Sequence, residues 1–301
     1  MDIKSKLSKR MRESGFIDSK TMAYIRLARF DKPIGTFLVL WPALWALWIA
    51  SAGFPRFDHL AIFITGAVVM RAAGCVINDI ADRNIDGHVE RTKDRPLATG
   101  ALRLKEALSF FVILCCAALG LVLCLNTSAI FWSFGALALA CIYPFMKRHT
   151  FLPQVFLGAA FAWSIPMAFA AVGEAVPAIA WVIFIVTLLW TVAYDTIYAM
   201  IDREDDIKIG VKSTAILFGS ADRSIIAFLQ VLMILGLCMI GDQLDLGSFY
   251  FLSVVAASVL LVYQQHLIRL RYKADCFHAF LNNNWVGMVI FFGIALDYSV
   301  R

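Results

Sequence analysis

Charge is what this chain has least of: 27 basic and 22 acidic residues in 301, or 16%. A soluble domain carries about a quarter of its residues as Asp, Glu, Lys or Arg, so a water-facing surface cannot be built from what is here. The same scarcity excludes a disordered chain, which needs few apolar residues and high net charge, and a nucleic-acid binder, whose affinity comes from many cations gathered on one face. Histidine is rare, with 5 residues at no ligand spacing, and the 7 cysteines include no Cys-x-x-Cys pair. All of them but Cys276 lie in apolar runs, so they read as reduced packing residues rather than as a zinc, iron–sulfur or disulfide framework. No apolar run precedes residue 33, which leaves the basic segment 1–20 without the hydrophobic stretch of a cleavable signal peptide.

What fills the chain is apolar: 61% of its residues are hydrophobic, 13% are aromatic, and the mean hydropathy is +0.76. About 20 apolar residues cross a bilayer as a helix, the form in which every backbone polar group is satisfied internally. Such stretches occupy 33–55, 59–78, 107–146, 151–173, 175–194, 224–241, 246–265 and 279–296. The uncharged run 107–146 is long enough for two spans, with a tight turn at Asn126-Thr127-Ser128, which brings the number to nine. The fold class is therefore all-α, a polytopic integral membrane protein. It reads as a single membrane domain over 1–301, with a cytoplasmic N-terminal segment at 1–32 and a nine-helix bundle at 33–301.

Lys and Arg concentrate in alternate gaps: the N-terminal segment, 79–106, Lys147-Arg148, 201–223 and 266–273. The opposite gaps hold only Arg56 and Arg301. Short cytoplasmic loops carry the basic excess, so the N-terminus is expected in the cytoplasm and the C-terminus in the periplasm. No transit segment precedes the first span, which favours a bacterial inner membrane.

Two of the basic-side loops are also acidic. Asn78-Asp79-Ile80-Ala81-Asp82-Arg83-Asn84-Ile85-Asp86 ends the second span; if the helix continues, Asn78, Asp82 and Asp86 recur every four residues on one face. At the end of the sixth span, Asp195, Tyr198, Asp202 and Asp206 stand at i, i+3, i+7 and i+11, again one stripe. Asp82 and Asp202 are separated by four helices and their loops, so both clusters fall on the same membrane face. Like carboxylates at i and i+4 repel, and a cation must neutralise them. An all-oxygen donor set without histidine suits Mg²⁺, which shares its remaining positions with substrate phosphates, so the pattern suggests a metal-bridged pyrophosphate. A solvated acidic loop would explain either cluster alone, but explains both together less well.

Basic residues interleave with these acids: Arg71, Arg83, Arg91, Lys93 and Arg95 beside the first cluster, Arg203, Lys208 and Lys212 beside the second. Each is a candidate phosphate ligand, although the positive-inside bias alone accounts for most of them. Arg71 differs because it interrupts an apolar span two turns before Asn78, and an ionisable residue inside a span is a functional candidate. The turn Tyr143-Pro144-Phe145-Met146-Lys147-Arg148 adds two cations at the same face. Trp41, Trp45 and Trp48 form a helical stripe that reads as packing or an interface anchor.

On these motifs the sequence resembles the intramembrane aromatic prenyltransferases of the UbiA type. Asn78-Asp79-x-x-Asp82-x-x-x-Asp86 is similar to the first aspartate-rich motif of that family and Asp202-x-x-x-Asp206 to the second, with Tyr194-Asp195-x-x-Tyr198-Ala199 before it. Tyr143-x-x-x-Lys147 resembles a third signature. Arg29-Phe30-Asp31-Lys32-Pro33-Ile34-Gly35-Thr36, the tryptophan-rich stretch from Leu40 to Trp48, Asp86-Gly87-His88-Val89, Arg95-Pro96-Leu97 and the stretch from Lys208 to Ala215 resemble the branch that prenylates 4-hydroxybenzoate in ubiquinone biosynthesis. The resemblance runs from Arg29 to the last helix.

It implies nine helices around a central cavity, a cap of the two acidic loops on the cytoplasmic face, and a lateral opening for a lipid donor. Asp82, Asp86, Asp202 and Asp206 would be catalytic, and with Asn78, Asp79 and Asp195 would hold Mg²⁺ on the pyrophosphate of a polyprenyl diphosphate. Arg83, Lys147 and Arg148 are similar to positions that bind pyrophosphate or the acceptor's carboxylate, and Arg71, Tyr143, Tyr198 and Lys212 complete the candidate substrate-binding set. The implied partners are polyprenyl diphosphate, 4-hydroxybenzoate and membrane lipid, with no nucleic acid. Other acceptors within the superfamily (a naphthoate, homogentisate, haem) remain open. A CDP-alcohol phosphotransferase would carry one contiguous acidic motif, and a cation transporter would place its acids near the membrane midplane.

Overall fold

In the computed structural model residues 19–173 and 175–301 are described, and among them there is no strand. The reading of the basic N-terminal segment as a cytoplasmic, signal-free stretch lies, for residues 1–18, outside the described residues. The chain runs α1 (Ser19–Leu27), α2 (Ile34–Ala50), α3 (Phe57–Asp82), α4 (Leu104–Val122), α5 (Thr127–His149), α6 (Pro153–Ala162), α7 (Ser164–Gly173) and α8 (Ala178–Ile209). It continues through α9 (Thr214–Phe218), α10 (Asp222–Gln243), α11 (Ser248–Leu267) and α12 (Lys273–Val300). α1 is not a free tail, since Ala23 and Leu27 are buried in a cluster with Ala72, Ala73 and Val76 of α3.

Among the described residues eight helical segments are long and apolar enough to cross a bilayer. The ninth expected span is α2, whose 17 residues are at the short end of what a bilayer requires. The span 151–173 is two helices, broken at Trp163. Pro166 has no N–H to give the carbonyl of Ala162, and Trp163 turns its indole N–H to the Trp132 carbonyl at 2.8 Å. The tight turn at 126–128 is present. Asn126 caps α5 by accepting the Ala129 amide at 2.8 Å, and its own amide nitrogen donates to the Ala170 carbonyl at 2.7 Å, tying the turn to α7.

α8 is the enclosed central helix and α4 and α5 are peripheral. Leu108, Val112, Ile113, Phe131 and Phe134 are exposed, which in a bilayer places them against lipid. The tryptophan stripe of α2 is packing: Trp45 is buried, stacks on Trp190 of α8 with centroids 5.3 Å apart, and donates to the Gly287 carbonyl at 3.0 Å. Trp190 in turn donates to Asn283 Oδ1 at 2.8 Å. The contacts tie α2, α8 and α12 into one wall.

α8 keeps its helical register for two turns past Asp202 and then stops at Gly210, whose left-handed φ of 73° suits a residue without a side chain. The end of α8 is fixed laterally by Asp222, the first residue of α10. Fully buried, Asp222 takes an ion pair from Arg203, another from Arg271 at 2.8 Å, and the Arg223 amide at 2.6 Å. Arg203 is the neighbour of Asp202, so this cluster joins the acid-bearing end of α8 to the turn before α12.

Candidate functional site

A cavity of about 1610 Å³ opens where α3, α5 and α8 end on the same side. It exceeds the size of a pocket for a drug-like molecule and has room for a lipid head together with a second substrate. Its first acidic wall comes from the last turn of α3 and the loop that follows. Asp82 is buried; Asn78 donates to its Oδ2 at 3.1 Å, Lys147 from the end of α5 pairs with the same oxygen, and Oδ1 has no partner among the described residues. Asp79 is fully buried between Arg29 at 2.8 Å and Arg95 at 3.1 Å.

Asp86 does not extend the α3 stripe. The helix ends at Asp82, and Asp86 begins a separate 3₁₀ turn, Asp86–His88. Its carboxylate nonetheless faces back into the cavity and pairs with Arg95 at 2.9 Å.

The second wall is the α8 stripe, which is continuous as the spacing predicts. Asp195, Tyr198, Asp202 and Asp206 all line the cavity. Arg91, from the loop between α3 and α4, grips Asp202 through Nε at 2.9 Å and Nη2 at 2.5 Å. It also donates to the Tyr198 hydroxyl at 2.7 Å and lies over that ring, 4.7 Å from its centre. Gln154 of α6 lines the same cavity and accepts the Thr214 amide at 3.0 Å. Asp206 has no ion pair or side-chain hydrogen bond among the described residues, although it stands in the cavity wall. Burial alone would lower the pKa of Arg91 and of Arg95; Tyr198, Asp202 and Asp206 outweigh it at Arg91, as Asp79 and Asp86 do at Arg95, so both guanidiniums are held above their usual value.

Neutralisation of the stripes is therefore achieved differently from the expectation. The repulsion among the acids is relieved by Arg29, Arg91, Arg95 and Lys147, and among the described residues no three Asp, Glu, His or Cys side chains converge closely enough to hold an ion. Repulsion among the acids does not by itself require a metal. The donor chemistry still suits one: the free oxygens, Asp82 Oδ1 and the Asp206 carboxylate, with the Asn78 amide beside them, are hard ligands in the cavity wall.

Of the remaining candidates, Arg71, Tyr143, Lys147 and Lys212 line the cavity. Lys212 sits over the Phe151 ring at 5.4 Å and donates to the His149 carbonyl at 3.3 Å. Two candidates do not line the cavity. Arg83 is exposed and folds back to the Ile80 carbonyl at 3.0 Å, and Arg148 caps the Ala81 carbonyl, so both satisfy the unpaired carbonyls at the end of α3. Arg71 lies deeper, half-buried, with Nε buried and unpartnered and no ion pair among the described residues; the Phe161 ring lies 5.9 Å from its Cζ. Sequence reasoning missed Arg29 and Gln154. Arg29 lies in a stretch noted for its resemblance, but nothing local connects it with Asp79, 50 residues away.

Residues 39–291 match the UbiA prenyltransferase family. The chain is 60% identical over 278 residues to 4-hydroxybenzoate octaprenyltransferase of Hahella chejuensis, covering 92% of this chain and 93% of that one. It is 56% identical over 284 residues to the protein of the same description from Marinobacter nauticus, covering 94% and 97%. Among solved structures, the apo structure of a UbiA homolog from Aeropyrum pernix K1 is similar with a TM-score of 0.78 at 25% identity, covering 87% of this chain and 97% of that one. A UbiA homolog from Archaeoglobus fulgidus, solved bound to GPP and Mg²⁺, shares the fold with a TM-score of 0.65 at 16% identity, covering 91% and 99%.

Proposed function

Because the chain belongs to the UbiA prenyltransferase family, we propose that it transfers a polyprenyl chain from an allylic diphosphate to the ring carbon ortho to the hydroxyl of 4-hydroxybenzoate, a step of ubiquinone biosynthesis. The observation that carries this reading is the polarity of the cavity: a dense pole of acids and cations at its mouth and one unpaired guanidinium, Arg71, further in. The mouth suits a metal-bound diphosphate, and the inner cation suits a single carboxylate.

Mg²⁺ would be held by Asp82, Asp86, Asp202 and Asp206 with Asn78, and Asp195 lies within the same wall. Asp79, enclosed by two guanidiniums, serves better as the anchor of Arg29 and Arg95 than as a ligand. When bound, Mg²⁺ stabilises the charge that develops on the diphosphate as the allylic C–O bond breaks. Arg91, Arg95, Lys147 and Lys212 donate to the oxygens of the leaving group. Arg71 takes the acceptor's carboxylate and so turns the phenol end of the ring toward the mouth. The ring carbon forms the new C–C bond, a carboxylate of the cavity receives the proton it gives up, and diphosphate departs.

The protein acts as a single membrane domain. With the positive-inside bias setting orientation, the acidic mouth faces the cytoplasm, the C-terminus faces the periplasm, and the simplest location is a bacterial inner membrane.

The test uses the purified protein in nanodiscs with Mg²⁺, octaprenyl diphosphate and 4-hydroxybenzoate, measuring prenylated acid and diphosphate. Equimolar product and diphosphate are expected, with phenol, which has no carboxylate, a poor acceptor. Diphosphate release without prenylated 4-hydroxybenzoate would keep the donor and replace the acceptor. Folded protein that consumes no allylic diphosphate would overturn the reading.

A further inference from the structure

Arg71 is held against a glycine. Gly35 lies in the first turn of α2, and a Cβ built on it would overlap Arg71 Nε and Nη2 and come within 2.7 Å of Cζ. The nitrogens are met before the carbon, so the Nε–Nη2 edge of the guanidinium abuts the glycine. That edge is where the unpartnered Nε is buried. Its neighbour in this seat is an apolar Cα rather than an acceptor, and Arg71 is a lining residue of the cavity.

Nothing in the backbone asks for glycine at this position. The left-handed glycines are Gly53, Gly100, Gly210 and Gly219, and Gly35 is not among them. Inside a helix, glycine is about 1 kcal/mol worse than alanine. The absent side chain is explained by Arg71, whose guanidinium occupies the space.

We propose that Gly35 is a specificity-determining position for the acceptor: by lacking a side chain it sets the depth at which Arg71 presents its charge, and with it the depth at which an aromatic carboxylate is held. The proposal rests on the reading of Arg71 as the acceptor's carboxylate partner. The nearest atoms a methyl group at residue 35 meets are all at the far end of the flexible Arg71 side chain, so the helix tolerates it and the guanidinium is displaced. A displacement of about 1 Å at a positioning group can cost about 10²-fold in rate.

The experiment compares Gly35→Ala, Arg71→Lys and the double variant in the full-length protein in nanodiscs. Gly66→Ala serves as a helical control, because a Cβ at Gly66 meets nothing within 4 Å. kcat and KM are measured separately for 4-hydroxybenzoate and for the donor, with thermal unfolding in parallel. Gly35→Ala is expected to lower kcat/KM for the acceptor by about 10- to 100-fold while donor KM and unfolding stay at the wild-type values. In the Arg71→Lys background the same substitution should cost less than about twofold, because the coupling disappears with the guanidinium. Equal cost in both backgrounds, loss of donor affinity alongside acceptor affinity, or a lowered unfolding temperature would overturn the role of Gly35. If Arg71→Lys leaves acceptor kinetics unchanged, the reading of Arg71 itself fails, and the proposal fails with it.

Discussion

Asp82→Ala and Asp202→Ala are each expected to lower kcat by about 10³-fold, the loss that follows removal of one group stabilising charge in a transition state, while the protein stays folded in the membrane. Asp82 ends α3, Asp202 stands two turns before the end of α8, and each sits opposite a cation that the diphosphate needs. Asp202 has a second task that must be separated from the first, since it holds Arg91 and thereby the loop between α3 and α4. Arg91→Ala removes the loop contact and leaves the carboxylate in place. If Asp202 serves as a metal ligand, Asp202→Ala raises the Mg²⁺ concentration for half-maximal rate, whereas Arg91→Ala raises donor KM and leaves the Mg²⁺ dependence alone. Identical kinetics for the two variants would reduce Asp202 to an anchor. Chelation of Mg²⁺ from the wild type should abolish turnover and restore it on readdition.

Asp222→Ala should lower stability by about 3 kcal/mol, the lower end of the range for breaking a buried ion pair, because Arg203 is left part-buried without its partner while the more exposed Arg271 can turn to water. Asp222 is fully buried, and Arg203 and Arg271 both end on it. The loss is read from chemical unfolding in detergent micelles, with Asp222→Asn as the intermediate case that keeps the acceptor oxygen and removes the charge. Because Arg203 adjoins Asp202, activity falls too, but by less than in Asp202→Ala. A variant as stable as the wild type would mean that the two arginines find water and that the cluster contributes nothing to folding.

The helices were legible because a bilayer leaves so few options: runs such as 224–241 and 279–296 sit inside α10 and α12, and the Asn126 turn falls on three consecutive polar residues of a forty-residue run. Boundaries were less legible. Trp163 breaks a uniformly apolar span because of Pro166 three residues later, and hydropathy is blind to a missing N–H. At the site, the α8 stripe followed from helical periodicity, whereas Asp86 left the α3 face because the helix stops at Asp82. Pairings between distant segments were not legible at all. Arg91 with Asp202 spans 111 residues, and neither residue's neighbours encode the other. Arg83 and Arg148 were candidates from their charge and from the resemblance, and sequence carried no sign of their contacts with the carbonyls at the end of α3.

The length of α8 has a consequence for where in the bilayer the reaction sits. Its 32 residues make a rod of about 48 Å at 1.5 Å per residue, longer than the hydrocarbon layer of roughly 30 Å. The acids along it act as graduations: Asp202 stands about 10 Å above Asp195 along the axis, and Asp206 about 16 Å. Each partner in the reaction is thus registered to a mark on the protein rather than to the surrounding lipid. A thicker or thinner membrane changes how far a donor must rise to reach the upper marks, and leaves the separation of the marks unaltered.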